Sequence, residues 1–253
     1  MLRVDPRNAK AVDLSERLGG MVDLANLPGQ PCVVIGGDGF LLAAVRELGA
    51  GVPYLGINAG HLGFLLNDPP RDDPGLLRFA QALAAGAFEA WPFPRLSLRA
   101  QGTDGREVRA EAVNDLYLER ATGQTAHLRV WLDGEQVVDR LVCDGLLVAT
   151  ALGSTAYTYS AGGVPCDPRV RAVQVTAIAP HAPRLSPIVV PIGTRVQVEA
   201  LSPEKRPVRA VADGVDLGPV RGMEAGPADE DVQLCFLRDH RFTRALIRKV
   251  LRT

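Results

Sequence analysis

Pro31-Cys-Val-Val-Ile35-Gly36-Gly37-Asp38-Gly39-Phe40-Leu41-Leu-Ala-Ala-Val-Arg-Glu-Leu48 is the stretch that decides the fold. Its first five residues form a short apolar run that ends in glycine, which predicts a buried parallel strand. Residues 41–48 have helical composition, and a helix is expected to start near Phe40. Val52-Pro-Tyr-Leu-Gly-Ile57 reads as the next strand, and residues 76–85 as a second helix. Strand, helix, strand, helix predicts an α/β layer built on a parallel sheet. Upstream, residues 1–20 hold little that looks like a buried strand. Met21-Val-Asp-Leu24 is a candidate for a short one, so the N-terminal layer is expected to be small or incomplete.

Downstream, the pattern changes near Trp91-Pro-Phe-Pro94. Arg95-Leu-Ser-Leu-Arg99, Glu107-Val-Arg-Ala-Glu-Ala-Val113, His127-Leu-Arg-Val-Trp-Leu132 and Arg195-Val-Gln-Val-Glu-Ala200 alternate with period two. Turn residues such as Gly102-Thr-Asp-Gly105 and Asp133-Gly134 separate them. This predicts an antiparallel, half-exposed β domain. Residues 222–230, rich in glycine, alanine and acids, read as a surface loop. Residues 242–251 are a candidate terminal helix. The division expected is 1–93 for the α/β domain and 94–253 for the β domain, with the C-terminal segment a candidate for packing back onto the first. No repeat or low-complexity tract interrupts the chain.

Composition excludes several classes. At 253 residues and 47% hydrophobic, the chain can bury a sizeable core. No apolar run approaches the roughly 20 residues that span a bilayer. The first residues carry no secretion-type apolar stretch, so a soluble, cytoplasmic protein without a membrane partner is expected. A net charge of −1 gives no global basic field for nucleic acid. Lysine occurs only at Lys10, Lys205 and Lys249, which excludes a Walker-type lysine beside the glycine-rich loops. Cys32, Cys143, Cys166 and Cys235 are scattered, which argues against zinc or a disulfide framework.

Four segments carry chemistry. Gly36-Gly37-Asp38-Gly39 joins a buried strand to a helix. Its glycines permit positive φ and close backbone approach, and the helix N-terminus favours phosphate. Asp38 then has two functional readings, a ligand for Mg²⁺ or an acceptor for the proton of an attacking hydroxyl, beside a plain turn-capping role. The flanking glycines are expected to leave its side chain unobstructed. Gly56-Ile-Asn58-Ala-Gly60-His61-Leu-Gly63-Phe64-Leu follows the next strand. Loops at the carboxyl ends of adjacent parallel strands line one crevice, so Asn58 and His61 are candidates to face the same ligand.

The third segment is Val113-Asn114-Asp115-Leu116, an amide–carboxylate pair suited to an adenine edge or ribose hydroxyls. Alternation puts the pair on opposite faces of a strand or at its end. The fourth runs from Asp144-Gly-Leu-Leu-Val-Ala-Thr150-Ala-Leu-Gly153 through Ser154-Thr155-Ala156-Tyr157-Thr158-Tyr159-Ser160 to Gly162-Gly163. Asp144 is read as opening an apolar strand, and Gly153-Ser-Thr as opening a short helix through Ser160. Small and hydroxylated residues there can approach a polar ligand, and Tyr157 can pack on a flat ring. Hydroxyls that merely cap a turn are the plain alternative. Ser154 lacks the G-x-S-x-G setting of a hydrolase nucleophile.

With these segments in view, the chain resembles the NAD kinase family. That family has a Gly-Gly-Asp-Gly loop, a Gly-x-Asn-x-Gly-x-Leu-Gly-Phe-Leu loop, an Asn-Glu or Asn-Asp pair, and an Asp-Gly…Thr-x-x-Gly-Ser-Thr-Ala-Tyr…Ser-x-Gly-Gly block. All four occur here in order over residues 36–163, and the last is the most specific. Ala179-Pro180, Ser186-Pro187 and Ala212-Asp213-Gly214 extend the match. The resemblance implies a small α/β, Rossmann-like N-terminal domain and a larger β-sandwich C-terminal domain, with substrate between them. It implies phosphorylation of the 2′-hydroxyl on the adenosine ribose of NAD by ATP or polyphosphate, giving NADP, with proton acceptance at Asp38. Gly36, Gly37, Gly39, Asn58 and Gly60 would form the phosphate-donor loops. NAD contacts would come from Asp38, Gly39, Asn114, Asp115, Asp144, Thr155, Ala156, Tyr157, Thr158, Tyr159 and Ser160. His127 is the nearest match to a substrate-contacting histidine, and Ala179 matches a position that can meet ligand from a neighbouring subunit.

With no lysine in the donor loops, a divalent cation is expected, Mg²⁺ held mainly by donor phosphates rather than by a protein cage. A homodimer or homotetramer is expected, from the resemblance and from the need to cover β edges. Three departures stand out. Phe40 replaces the usual Thr, Ser or Asn. Leu152 replaces a Thr of Thr-Pro-Thr-Gly. Val215 replaces a frequent Gln. A lipid kinase of the diacylglycerol or sphingosine type shares the first loop but does not need the fourth block. A non-catalytic NAD-binding module draws its support from Phe40 and Leu152.

Overall fold

The structure is a computed structural model that describes residues 1–60 and 63–251. The chain divides into two compact units, Met1–Phe93 with Glu230–Thr253, and Pro94–Asp229.

The first unit is a five-stranded sheet with three helices from its N-terminal part and a helical segment at its C-terminal end. β1 (Leu2–Val4), β2 (Cys32–Gly36) and β3 (Tyr54–Asn58) precede β4 (Phe88–Phe93), and a late strand, Val232–Leu237, joins them. The order is β1, β2, β3, the late strand, β4. All are parallel except β4, which pairs antiparallel with the late strand. β2 is buried along its whole length, which explains its continuous apolar run. α1 (Ala9–Gly19) and α3 (Asp73–Ala84) place Ala11, Leu14, Leu18, Leu76, Phe79 and Leu83 against Val33, Ile35, Leu55 and Ile57. α2 (Asp38–Leu48) buries Leu41, Leu42, Ala44 and Val45.

Two expectations fail here. The N-terminal layer is not short of strands: Leu2, Arg3 and Val4 pair in parallel with Val33, Val34 and Ile35, and Met21–Leu24 lies in a turn region. β1 is short and half-exposed, so it lacks the apolar signature of a central strand. The helix also starts at Asp38, two residues earlier than expected.

The second unit is one antiparallel sheet of eleven strands. They are β5 (Leu96–Gly102), β6 (Glu107–Ala112), β7 (Asp115–Arg120), β8 (Ala126–Leu132), β9 (Glu135–Cys143), β10 (Gly145–Thr150), β11 (Ala172–Ile178), β12 (Ile188–Pro191), β13 (Val196–Ala200), β14 (Val208–Ala212) and β15 (Val215–Pro227); the late strand of the first unit is β16. Their order is β12-β11-β10-β7-β14-β15-β13-β8-β9, with β5 on β15 and β6 on β5. One continuous core, including Leu98, Leu118, Leu128, Leu141, Leu146, Val175 and Val198, is drawn from strands distant in this order. A sheet can do that only by curling on itself, so the sandwich is built from a single curled sheet.

The loop expected at residues 222–230 is instead mostly strand. β15 runs to Pro227, with β13 on one side and β5 on the other. Gly222 is there because a Cβ would lie 2.4 Å from the Val198 carbonyl oxygen. The fourth motif holds two short helical pieces, a 3₁₀ turn Leu152–Thr155 and α4 (Tyr157–Ser160). The terminal helix begins as α5 (Phe242–Leu246) and continues as a π-helical turn Ile247–Leu251. All four cysteines are free, and no helix among the described residues is long and apolar enough to cross a membrane.

Candidate active site

In the first unit the strand–loop–helix element is built as its sequence predicts, but its aspartate is not unobstructed. Asp38 occupies the first turn of α2, where an acid suits the helix dipole. Its Oδ2 accepts the backbone N–H of Phe64 and its Oδ1 that of Leu65, both at 2.9 Å. The carboxylate thus clamps the loop that follows β3. A carboxylate oxygen has two lone pairs, so a group held in this way can still accept a proton.

Gly36, Gly37 and Gly39 all avoid positive φ. Of the three only Gly36 is closely packed, a Cβ there lying 3.0 Å from the Phe40 ring and 3.3 Å from Asp5. Phe40 therefore spends its side chain covering Gly36. A Cβ at Gly37 or Gly39 would meet nothing within 4 Å. The fold leaves open space over these two glycines, which is what a close-approaching phosphate requires.

Asn58 is engaged within its own loop. Its Oδ1 accepts the Gly60 N–H and its Nδ2 donates to Asp68, both at 2.8 Å. Gly63, at φ +60, leaves room for that amide, because a Cβ would lie 2.4 Å from it. Asn58 shapes the loop, and the loop rests on the first one: the Ala59 N–H donates to the Gly36 carbonyl, and a Cβ on Gly60 would lie 3.6 Å from the Gly37 Cα. His61 lies outside the described residues.

In the second unit, Asn114 and Asp115 sit at the start of β7 rather than on opposite faces within it. Thr150, at the end of β10, donates its hydroxyl to the Val113 carbonyl at 2.7 Å and its N–H to the Asn114 carbonyl at 2.9 Å. Gly153 is required at this contact, since a Cβ would lie 2.2 Å from the Asn114 carbonyl oxygen. Asp213, at φ +45 in the β14–β15 turn, accepts the N–H groups of Val113, Asn114 and Asp115 at 2.8, 2.8 and 3.2 Å. In the sequence Asp213 is legible only as a matching position, because its role rests on partners about a hundred residues away.

Asp115 is 4% exposed. Burial, with the neighbouring Asp213 charge adding to it, pushes its carboxyl up to about 7. The Asn114 Oδ1 and the Thr158 Oγ1 are buried and have no hydrogen-bond partner among the described residues. Tyr157 packs edge-on against Tyr117, ring centroids 5.2 Å apart. Burial raises both phenols, Tyr117 to about 12, so both remain neutral hydrogen-bond donors. Thr155, Ala156 and Tyr157 are half-buried, while Tyr159 and Ser160 are exposed. Ser154 is buried, donates to the Ala151 carbonyl at 2.6 Å and accepts the Cys166 N–H at 2.8 Å, which removes it as a nucleophile.

Three candidates form a separate group. Asp144 lies just before β10 rather than in it, and pairs with Arg120 at 2.8 Å. Its N–H donates to the Ile178 carbonyl, next to Ala179 at φ +45. His127 pairs in register with Val142, two residues before Asp144; burial and the nearby Arg206 and Arg140 lower its pKa. Asn114 and Asp115 stand at the opposite end of the β7–β10 pair. At about 3.4 Å per residue the two groups are roughly 20 Å apart. Tyr117, under Tyr157, pairs with Leu147 midway between them.

Known proteins match both units in chain order. The ATP-NAD kinase N-terminal domain matches residues 25–78 and the ATP-NAD kinase C-terminal domain residues 113–221. The NAD kinase of Caulobacter vibrioides is 38% identical over 82% of this chain and 78% of its own. That of Brucella suis is 32% identical over 95% of this chain and 91% of its own. Among solved structures, an Archaeoglobus fulgidus NAD kinase in complex with ATP has a TM-score of 0.76 at 26% identity, covering 99% of this chain and 96% of that one. Yeast NADH kinase complexed with NADH has a TM-score of 0.75 at 24% identity, over 87% of this chain and 66% of that longer one, a likeness of fold. Together these define a two-domain kinase that acts on a nicotinamide dinucleotide. The chain belongs to the NAD kinase family. The lipid-kinase and non-catalytic readings fall with that assignment.

Proposed function

We propose that the chain transfers a phosphoryl group from ATP or polyphosphate to the 2′-hydroxyl on the adenosine ribose of NAD, giving NADP. The observation that carries the NAD-binding part is the buried Asn114 Oδ1, which has no hydrogen-bond partner among the described residues and belongs to the residue that Gly153 packs against. A buried polar atom left unsatisfied costs roughly 1–3 kcal/mol, and a ligand with matching donors recovers it. Asn114, Asp115, Thr155, Ala156, Tyr157 and Thr158 hold one part of the dinucleotide. Asp144, Ala179 and His127 hold the other, and the roughly 20 Å between the groups suits an extended dinucleotide.

Asp38 accepts the proton of the ribose hydroxyl as the bond to phosphorus forms. Its two backbone hydrogen bonds fix the carboxylate in orientation. The open space over Gly37 and Gly39 receives the donor phosphates. Among the described residues no group of three or more His, Cys, Asp or Glu is placed to hold a metal ion. We expect a cation ligated mainly by donor phosphates, Mg²⁺, because the glycine loops carry no lysine to offset the donor charge. When bound, it would neutralise charge on the donor oxygens. In the cytoplasm we expect a homodimer or homotetramer, an expectation supported by the edge strand β12, which leaves Val189 49% exposed.

The test is NADP formation by purified protein with NAD and, separately, ATP and polyphosphate, with and without Mg²⁺. NADP formed with Mg²⁺ and abolished by excess EDTA is the expected result. No NADP with any donor would overturn the reading.

A further inference from the structure

A cavity of about 700 Å³ opens in the first unit beside the carboxyl end of β16. Five arginines line it: Arg78 on α3, and Arg238, Arg241, Arg244 and Arg248 on the segment after β16. Asp68 and Asp239 are the only acids among the described lining residues. Arg248 meets Asp68, and Arg238 lies 3.9 Å from Glu89. Arg78, Arg241 and Arg244 make no ion pair among the described residues.

Arg241, Arg244 and Arg248 are spaced three and four residues apart, which stacks like charges on one side of a helical segment. An aromatic cluster holds that segment in place: the Phe242 ring packs on Phe236, Trp91 and Phe93 at centroid distances of 5.0, 5.5 and 6.0 Å. The segment is thereby anchored beside the cavity, and its arginines stay exposed along the lining, where an anion from solvent can reach them.

Its place in the sheet matters equally. β2, β3 and β16 are neighbours and run parallel. Their carboxyl ends carry Gly36–Asp38, Asn58 and Leu237–Arg238 in turn. Ligands of open parallel sheets bind along this edge. A hydrogen-bonded chain also joins the cavity to the glycine loops. Arg248 holds one Asp68 oxygen, the Asn58 amide holds the other, and Asn58 accepts from Gly60.

We propose that this cavity binds a chain of three or more phosphates. Guanidinium forks match phosphate oxygens bidentately, and the cavity has room for several. Among the described lining residues the aromatic rings are already engaged, Phe79 in the core at 4% exposure and His240 against Phe236 and Phe242, so the arginines are the groups left to meet a ligand. The phosphates are those of free inorganic polyphosphate or the tail of a nucleoside triphosphate. The second source rests on the kinase reading; the binding itself does not.

The experiment is calorimetry with inorganic tripolyphosphate, without NAD, at low ionic strength. It compares wild type, the triple variant Arg78→Ser, Arg241→Ser, Arg244→Ser, and a charge-matched control, Arg106→Ser, Arg109→Ser, Arg221→Ser, in the second unit. The triple variant is expected to weaken binding by at least about tenfold and the control to leave it unchanged. KM for ATP on the same proteins separates the sources: a parallel rise assigns the site to a nucleotide tail, an unchanged KM to free polyphosphate. Equal tripolyphosphate affinity in wild type and triple variant would overturn the site. A wild type that makes NADP but binds no tripolyphosphate would also overturn it, leaving the kinase reading intact.

Discussion

The carboxylate of Asp213 accepts the backbone N–H of Asn114 at 2.8 Å, across 99 residues of chain. It also takes the N–H groups on either side, so one turn residue fixes the backbone from which both Asn114 and Asp115 project. Asp213→Ala should lower stability by roughly 2–4 kcal/mol through the lost charge-assisted bonds. It should raise KM for NAD while KM for ATP holds. Asp213→Asn, which keeps one acceptor and tolerates positive φ, should recover part of both losses. Denaturant melts and steady-state kinetics on the two variants check this. Equal KM for NAD in wild type and Asp213→Ala would show that the turn does not position the pair.

Asp115 predicts a pH dependence. Its carboxyl is raised from 3.8 to about 7, so the folded protein favours the neutral form. Between about pH 4 and 7 the native state holds a proton that the unfolded chain has lost, and stability falls as pH rises through that window. Asp115→Asn removes this burden. Its melting temperature should match wild type near pH 4 and exceed it above pH 7, since each tenfold change in proton affinity is worth about 1.4 kcal/mol. NAD affinity of the wild type should rise through pH 7, as the carboxylate becomes an acceptor for ribose or adenine donors, and the variant should lose that inflection. A melting-temperature difference that is flat across pH would refute the assignment.

Much of this was readable from local pattern. β2 and α2 follow from one apolar run, three glycines and a helical stretch, and the alternating segments became β5, β6, β8 and β13. The failures share a cause, which is partners distant in sequence. β1 is stabilised by pairing with β2, not by its own three residues. β15 looked like a loop because its glycines and proline read as turn signals, whereas two flanking strands dictate its conformation. The bonds of Asn58 to Gly60 and Asp68 were not readable either, because a polar side chain in a glycine loop carries no local sign of its partners. The Asp38 clamp on Phe64 and Leu65 was hidden in the same way. The amphipathic spacing of Ala11, Leu14 and Leu18 was a signal for α1 that could have been used.

Gly153 gives a prediction about shape alone. An added methyl would press on the Asn114 carbonyl, which is backbone and cannot swing aside. Gly153→Ala should cost roughly 1–3 kcal/mol and shift the turn that carries Thr155 and Tyr157. KM for NAD should rise severalfold with KM for ATP near wild type. Crystals or amide chemical shifts of the variant should locate the change at residues 113–115 and 150–158. An unaltered KM for NAD would separate this turn from the dinucleotide.

The most direct measurement concerns Asp38 as proton acceptor. Asparagine preserves the size of the side chain and one backbone hydrogen bond, but it cannot take the proton. Turnover, NAD affinity by calorimetry and melting temperature should be measured together on Asp38→Asn. The expected result is a kcat lower by roughly 10²–10⁴-fold, NAD affinity within a few-fold of wild type, and a fold that survives the loss of one loop bond. A folded Asp38→Asn protein that turns over within about tenfold of wild type would contradict the assignment and leave Asp38 as a clamp for Phe64 and Leu65.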